Sequence, residues 1–325
     1  RTAAGAASLT VTALGVTWLA TGAVNPLDRP GRPFSSALAV YPDGWANWIF
    51  LGCALVALTA AVWPRRVTVV VAIVALLCLM DASTLMAAGY LPAVLVGTIF
   101  GLGEAKLSLL FSPGLLVQLL LLATVAAFGA VLARGITVSA DLERATARTR
   151  RWTRIAVEAP LVYALTRVLM FFCVPGFDMF PFGSAILWAG LGLAVSASLG
   201  AWLTCGLVRP WGEVFPRWLP WLRSRRVPIR AAVVPGLLVA VMVATASKDL
   251  FLSLGGNGLA VVAEWPLVVL PGFLWPLWAF ALAMATANYG IRRAITEAKI
   301  SKRHDTAKMV YLPDTGTQSP KISGN

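Results

Sequence analysis

"RPWGEVFPRWLPWLRSRRVPIR", residues 209–230, packs six arginines and three tryptophans into a gap between two apolar stretches. Two roles fit such a stretch. One is a binding site for an anionic partner; the other is a cytoplasmic loop that holds the neighbouring helices on the correct side of a membrane. The choice between them rests on how charge is distributed through the rest of the chain.

The composition is that of a membrane protein. Of the 325 residues 58% are hydrophobic and only 13% charged, and the mean hydropathy is +0.78. Soluble domains carry roughly a quarter charged residues. A pI near 10.4 would suit nucleic acid only if the basic residues shared one solvated face, and here they fall in short clusters between apolar runs, which excludes that class of partner. Cys53, Cys78, Cys173 and Cys205 all sit inside apolar runs without CxxC spacing, so they read as small buried hydrophobes. His304, the single histidine, lies in the polar tail. No metal site, haem or other cofactor is expected from this inventory, and no histidine-activated nucleophile.

Apolar runs of about 20 residues, the length that crosses a bilayer as a helix, occur eight times: 6–25, 45–64, 67–89, 113–134, 154–174, 184–208, 231–253 and 265–290. Trp45, Trp48, Trp63, Trp152, Trp211 and Trp265 lie near the ends of runs, where amphipathic rings settle at the headgroups. The first run lacks a signal-peptide pattern and reads as a retained span, with the missing initiator methionine reading as a trimmed start. With the N-terminus inside, 22 of the 27 basic residues fall in cytoplasmic segments. The other five are Arg29, Arg32, Lys106, Arg167 and Lys248. This asymmetry predicts a bacterial cytoplasmic (inner) membrane protein with both termini cytoplasmic. On this reading Arg209, Arg217, Arg223, Arg225, Arg226 and Arg230, with Trp211, Trp218 and Trp221, are topology anchors in contact with anionic lipid headgroups.

The expected fold is therefore an all-α, eight-helix membrane bundle. Residues 1–134 would form an N-terminal four-helix half. Within it, 91–112 is apolar but broken by Gly97, Gly101, Gly103, Glu104 and Lys106, and reads as an outer re-entrant or interfacial segment. No GKS or GKT follows those glycines, which excludes a phosphate loop. Residues 135–153 suit a basic amphipathic helix on the inner leaflet, capped by Ser139. Residues 154–293 would form a second four-helix half and 294–325 a polar cytoplasmic tail. "RRVTVVVAIVALL" from Arg65 resembles "RRVPIRAAVVPGLL" from Arg225, and "ALGVTWLATGAVNP" from Ala13 resembles "ALTRVLMFFCVPG" from Ala164. Their order suggests a parallel 4+4 internal repeat; against it, any two arginine-flanked apolar helices look alike.

The words "RPWGEVFPRWLP", "RRVP", "WPLWAFALAMA" and "YGIRR" resemble those of a family of polytopic integral membrane proteins from high-GC Gram-positive bacteria, over about Arg167 to Arg293. The resemblance implies an inner-membrane location and brings no catalytic residue with it. The N-terminal half departs from the pattern.

Function is sought in the ionisable groups within the apolar runs, since each costs a few kcal/mol to place there. At 1.5 Å per residue, Asp81 would lie about 21 Å along the third run and Arg167 about 20 Å along the fifth, which puts both in the outer third. Lys248, Asp249, Glu104, Lys106 and Glu264 are placed on the same side, so all seven are candidates to line one outward-facing ligand or ion pathway, with Asp81 and Arg167 expected to face one another. Local satisfaction of Asp81 by Ser83 and Thr84, or snorkelling of the cations, is the plainer alternative. Glu158 reads as a partner of Arg154, Gln118, Asn288 and Tyr289 as helix-to-helix hydrogen bonds, and Gly192, Ser196 and Gly200 as a small-residue packing ridge.

The expected activity is binding or transport of a small amphipathic or lipid-like molecule. Two alternatives belong to other classes: a non-catalytic membrane subunit docking a partner protein or a second copy, and an intramembrane enzyme acting on lipid or isoprenoid chains. The enzyme would need clustered acidic residues or several histidines, and the sequence has neither a DxxD nor a second histidine.

Overall fold

The structure is a computed structural model that describes residues 2–28, 38, 41–42, 44–100, 112–134, 141–215 and 225–310. Most of those residues are helical, and no strand occurs among them beyond one isolated bridge, Val214 to Arg226. The helices are α1 (Thr2–Thr21), α2 (Trp45–Val62), α3 (Arg66–Leu79), α4 (Ser83–Phe100), α5 (Pro113–Arg134), α6 (Leu142–Phe171), α7 (Ala185–Cys205), α8 (Ile229–Ser253), α9 (Leu259–Glu264), α10 (Pro266–Val269) and α11 (Trp275–Val310). A π turn links α8 to α9, and a 3₁₀ turn links α10 to α11.

Six helical stretches are long and apolar enough to cross a membrane: Thr2–Thr21, Trp45–Val62, Pro113–Ala133, Ile186–Cys205, Ile229–Ser253 and Pro266–Ile300. The chain is thus a multi-pass membrane protein, and its packing is inverted relative to a soluble bundle. On α2 the buried face is Ala46, Phe50, Ala54, Ala57 and Ala60, while Trp45, Trp48, Leu55, Val56 and Val62 point outward. Water would make that arrangement costly. Hydrocarbon does not distinguish an inward leucine from an outward one, so small residues take the contacts and let the backbones approach. Ser196 of α7 does this by donating to the Gly89 carbonyl of α4 at 2.7 Å.

One core joins α1, α2, α3 and α5, with Met242 of α8 at its edge; a second joins α6, α8 and α11. Within the first set α1 packs on α2 and α5. Within the second α6 packs on α7 and α11. Helix α4 bridges the sets, touching α5 on one side and α7 and α8 on the other.

Three sequence expectations are corrected. The run 67–89 is not one continuous helix: α3 stops at Leu79, α4 starts at Ser83, and the axis turns by 70° between them. Asp81 lies in this break, and residues up to Phe100 continue α4, so 91–100 is not a separate element. The basic segment and the fifth run are not separate either, because α6 runs unbroken for 30 residues from Leu142, capped by Asp141, whose carboxylate accepts from the Glu143 amide at 3.0 Å. Ser139 lies outside the described residues. The last helix likewise extends through 294–310 of the expected tail.

Candidate functional site

The break between α3 and α4 leaves backbone groups without helical partners, an expensive condition away from water. Four side chains meet that need. Lys248 of α8 directs its ammonium at the C-terminal end of α3, donating to the carbonyls of Leu77 (3.4 Å), Cys78 (3.1 Å) and Met80. Its neighbour Asp249 turns to the other side of the break and accepts from the Ala82 amide at 2.7 Å. Asp81 accepts through Oδ1 from the next amide, Ser83, at 2.8 Å. Gln118 of α5 braces both ends: its amide nitrogen donates to Leu79 O and its carbonyl oxygen accepts from Asp81 N, each at 3.3 Å.

The polarity follows the helix dipoles. A cation sits where α3 presents carbonyls and two anions sit where α4 presents amides, so each charge meets a partial charge of opposite sign. Lys248 and Asp249 also form an ion pair at 3.8 Å. Asp81 is 1% exposed, Asp249 4%, and both act electrostatically on Lys248. The site holds two carboxylates and one ammonium. Among the described residues, Asp81 Oδ2 and the hydroxyl of Thr84, in the first turn of α4, are buried without a hydrogen-bond partner, and Asp249 Oδ1 has only the ion pair with Lys248.

Arg167 is elsewhere. No ion pair joins it to Asp81. Its guanidinium lies 4.9 Å from the ring centroid of Tyr163, and Nη1 reaches Met170 Sδ at 3.3 Å. The other side of the Tyr163 ring story is Trp275, the first residue of α11, edge-on at 5.5 Å. Two N–H donors here, Arg167 Nε and Trp275 Nε1, are buried without acceptors. Tyr90 of α4 is near enough to feel both Arg167 and Tyr163.

A third cluster ties the opening stretch to α11. Residues 213–215 and 225–227 pair as a small antiparallel bridge, with Phe215 N to Arg225 O at 3.0 Å and Val227 N to Glu213 O at 2.9 Å. Glu213 meets Arg292 at 2.7 Å. Tyr289, fully buried, donates to Gly212 O at 2.8 Å, and Arg293 reaches Tyr289 Oη and Val227 O, both at 3.1 Å. The segments 209–215, 225–228 and 289–293 are therefore in mutual contact.

Of the seven pathway candidates the structure brings together Asp81, Lys248 and Asp249. Glu264 is exposed at the end of α9, Arg167 is at the tyrosine, and Glu104 and Lys106 lie outside the described residues. Among the anchors, Arg209, Arg225, Arg226 and Arg230 are exposed, Trp211 is half-buried and stacked 5.0 Å from Trp202, and Arg217, Arg223, Trp218 and Trp221 lie outside the described residues. Glu158 pairs with Arg154 as expected, at 4.0 Å. Two participants went unassigned from sequence: Thr84 as a buried hydroxyl and Glu213 as the partner of Arg292; Gln118, expected as a helix-to-helix hydrogen bond, braces the break. The Asp-Ala-Ser-Thr string from Asp81 is a helix-start signature, and it could have revealed the break.

Searches against family models, characterised proteins and solved structures find no match for this chain.

Proposed function

We propose that the protein is an eight-span carrier or binding protein of the bacterial inner membrane that takes up a small amphipathic molecule with an anionic head, such as a lipid-like carboxylate, from the outward side. Eight spans follow if the bent pair α3–α4 counts as one crossing and α6 as another. The apolar part of α6 falls outside the six because it carries Arg154, Glu158 and Arg167. The parallel 4+4 arrangement is supported by α1 packing on α2 and α5 as α6 packs on α7 and α11.

The observation that carries the ligand reading is the Arg167 locus. A cation with no carboxylate partner among the described residues, held over Tyr163 with its Nε and the nearby Trp275 Nε1 both lacking acceptors among those residues, is what an anionic head would complete. Tyr163 and Trp275 supply apolar ring surface beside the guanidinium, and Phe171, one turn further along α6, lies edge-on to Trp188 of α7. A structural arginine in hydrocarbon would be expected to have a carboxylate beside it.

A long-chain fatty acid brominated near its carboxylate tests this directly, because Trp275 reports on the site. Titrated into the detergent-purified protein, it should quench tryptophan fluorescence saturably, and Arg167→Gln should weaken the half-saturating concentration about tenfold, the equivalent of one lost charge-assisted contact. Quenching that never saturates, or that is the same in Arg167→Gln, would sink the reading.

Orientation has its own test. In a cysteine-free background, a cysteine at Phe182, 75% exposed between α6 and α7, should react with a membrane-impermeant maleimide on intact cells, while one at Arg225 should react only after lysis. The reverse pattern would invert the topology.

A further inference from the structure

Among the described residues, the break between α3 and α4 holds more negative than positive charge. Asp81 and Asp249 oppose the one ammonium of Lys248 there, and α5 contributes the neutral Gln118 to the same place. The dipole ends do not repair this imbalance, since the carbonyl end of α3 and the amide end of α4 carry roughly equal and opposite partial charges. A net buried charge of one unit is far more costly in a membrane than a balanced site.

The under-partnered oxygens are the ones that would accept a positive charge. Asp249 and Asp81 are bound to successive amides, Ala82 and Ser83, so their carboxylates are neighbours; Asp249 Oδ1 has only the Lys248 ammonium, at 3.8 Å, and Asp81 Oδ2 has no hydrogen-bond partner among the described residues. The Thr84 hydroxyl, 2% exposed, is likewise without a partner among the described residues and belongs to neither carboxylate. Hard oxygen donors with one surplus negative charge suit a small monovalent cation and do not call for a divalent one.

We propose that Asp81, Asp249 and Thr84 form a binding site for one small alkali metal ion at the N-terminal end of α4. Lys248 supplies the fixed positive charge that closes the α3 side of the break, and the exchangeable cation closes the α4 side. Because α4 bridges the two packed sets through α5, α7 and α8, occupancy of its first turn is positioned to bias how they sit against each other. This site is separate from the Arg167 locus, and each is tested without the other.

The experiment is thermal melting of the purified full-length protein, followed by the fluorescence of its 13 tryptophans. At pH 8, choline chloride is exchanged for lithium, sodium or potassium chloride at constant ionic strength. Binding of an alkali ion predicts a saturable rise in midpoint of several degrees for at least one of them. Asp81→Asn balances the site internally. It should therefore melt higher than wild type in choline and lose the cation response. Thr84→Val, which leaves the charges alone, should raise the half-saturating concentration about tenfold, one lost ligand's worth. A midpoint indifferent to all three alkali ions, or a response that survives in Asp81→Asn, overturns the proposal.

Discussion

Replacing Lys248 with methionine is expected to destabilise the protein by about 3–5 kcal/mol, the usual cost of removing one partner from a buried charge cluster. That is a large part of the stability of an ordinary domain. The methionine keeps the length and bulk of the side chain, so packing against α3 is nearly preserved and the effect isolates the ammonium. Its loss leaves two buried carboxylates with no opposing charge and strips the carbonyls of Leu77, Cys78 and Met80 of their donor. The second substitution Asp249→Asn, made in the Lys248→Met background, should recover about half of the loss, since it removes one of the two stranded anions but cannot restore the donor to α3. Size-exclusion profiles and melting midpoints of the detergent-purified variants read both effects. Wild-type stability in Lys248→Met would mean that the ammonium does not sit in the break.

The membrane character and most of the helices were legible because apolar length is a local property. Each span contains its own evidence. The break at 80–82 was hidden by the same property: the apolar run continues on both sides of "MDAST", and a hydropathy window sees one span where the chain makes a 70° turn. The depth argument for Asp81 and Arg167 failed for a related reason. Rise per residue places a side chain along a helix axis but says nothing about azimuth, and the two groups face different neighbours, α5 and α8 for the aspartate, Tyr163 and the start of α11 for the arginine. Lys248 and Asp249 were picked out as charges within an apolar run, yet their roles at opposite ends of a broken helix required knowing that a helix 170 residues away was broken. Gln118 was read correctly as a polar bridge, and what it bridges is not a second helix face but the two ends of one interrupted span.

The stretch 209–230 shows the same division between what charge patterning conveys and what it does not. Charge patterning picks out its exposed arginines, but its described ends, 209–215 and 225–230, are held by a close backbone approach and by a clamp contributed by α11. Gly212 is the point at which both meet. A Cβ added there would fall 1.8 Å from the carbonyl oxygen of Gly206 and 2.5 Å from its carbon. Both are backbone atoms at the end of α7 and cannot step aside as a side chain could. The carbonyl of Gly212 is at the same time the acceptor for Tyr289, which Arg293 holds in place while also binding Val227 O. Gly212→Ala must therefore separate residues 206 and 212, and in doing so it pulls the acceptor from a fully buried tyrosine and moves Glu213 off Arg292. The expected loss is about 3 kcal/mol or more, in the range that backbone overlap combined with a broken buried hydrogen-bond network produces. Arg292→Lys is the contrasting variant. It keeps the charge opposite the half-exposed Glu213 and should cost no more than about 1–2 kcal/mol. Limited proteolysis within 206–215 alongside melting midpoints distinguishes the two: Gly212→Ala should open that segment to cleavage and Arg292→Lys should not. A Gly212→Ala protein that melts like wild type, with the segment still protected, would show that residues 206 and 212 do not approach as described and that the arginines of this loop act through the membrane alone.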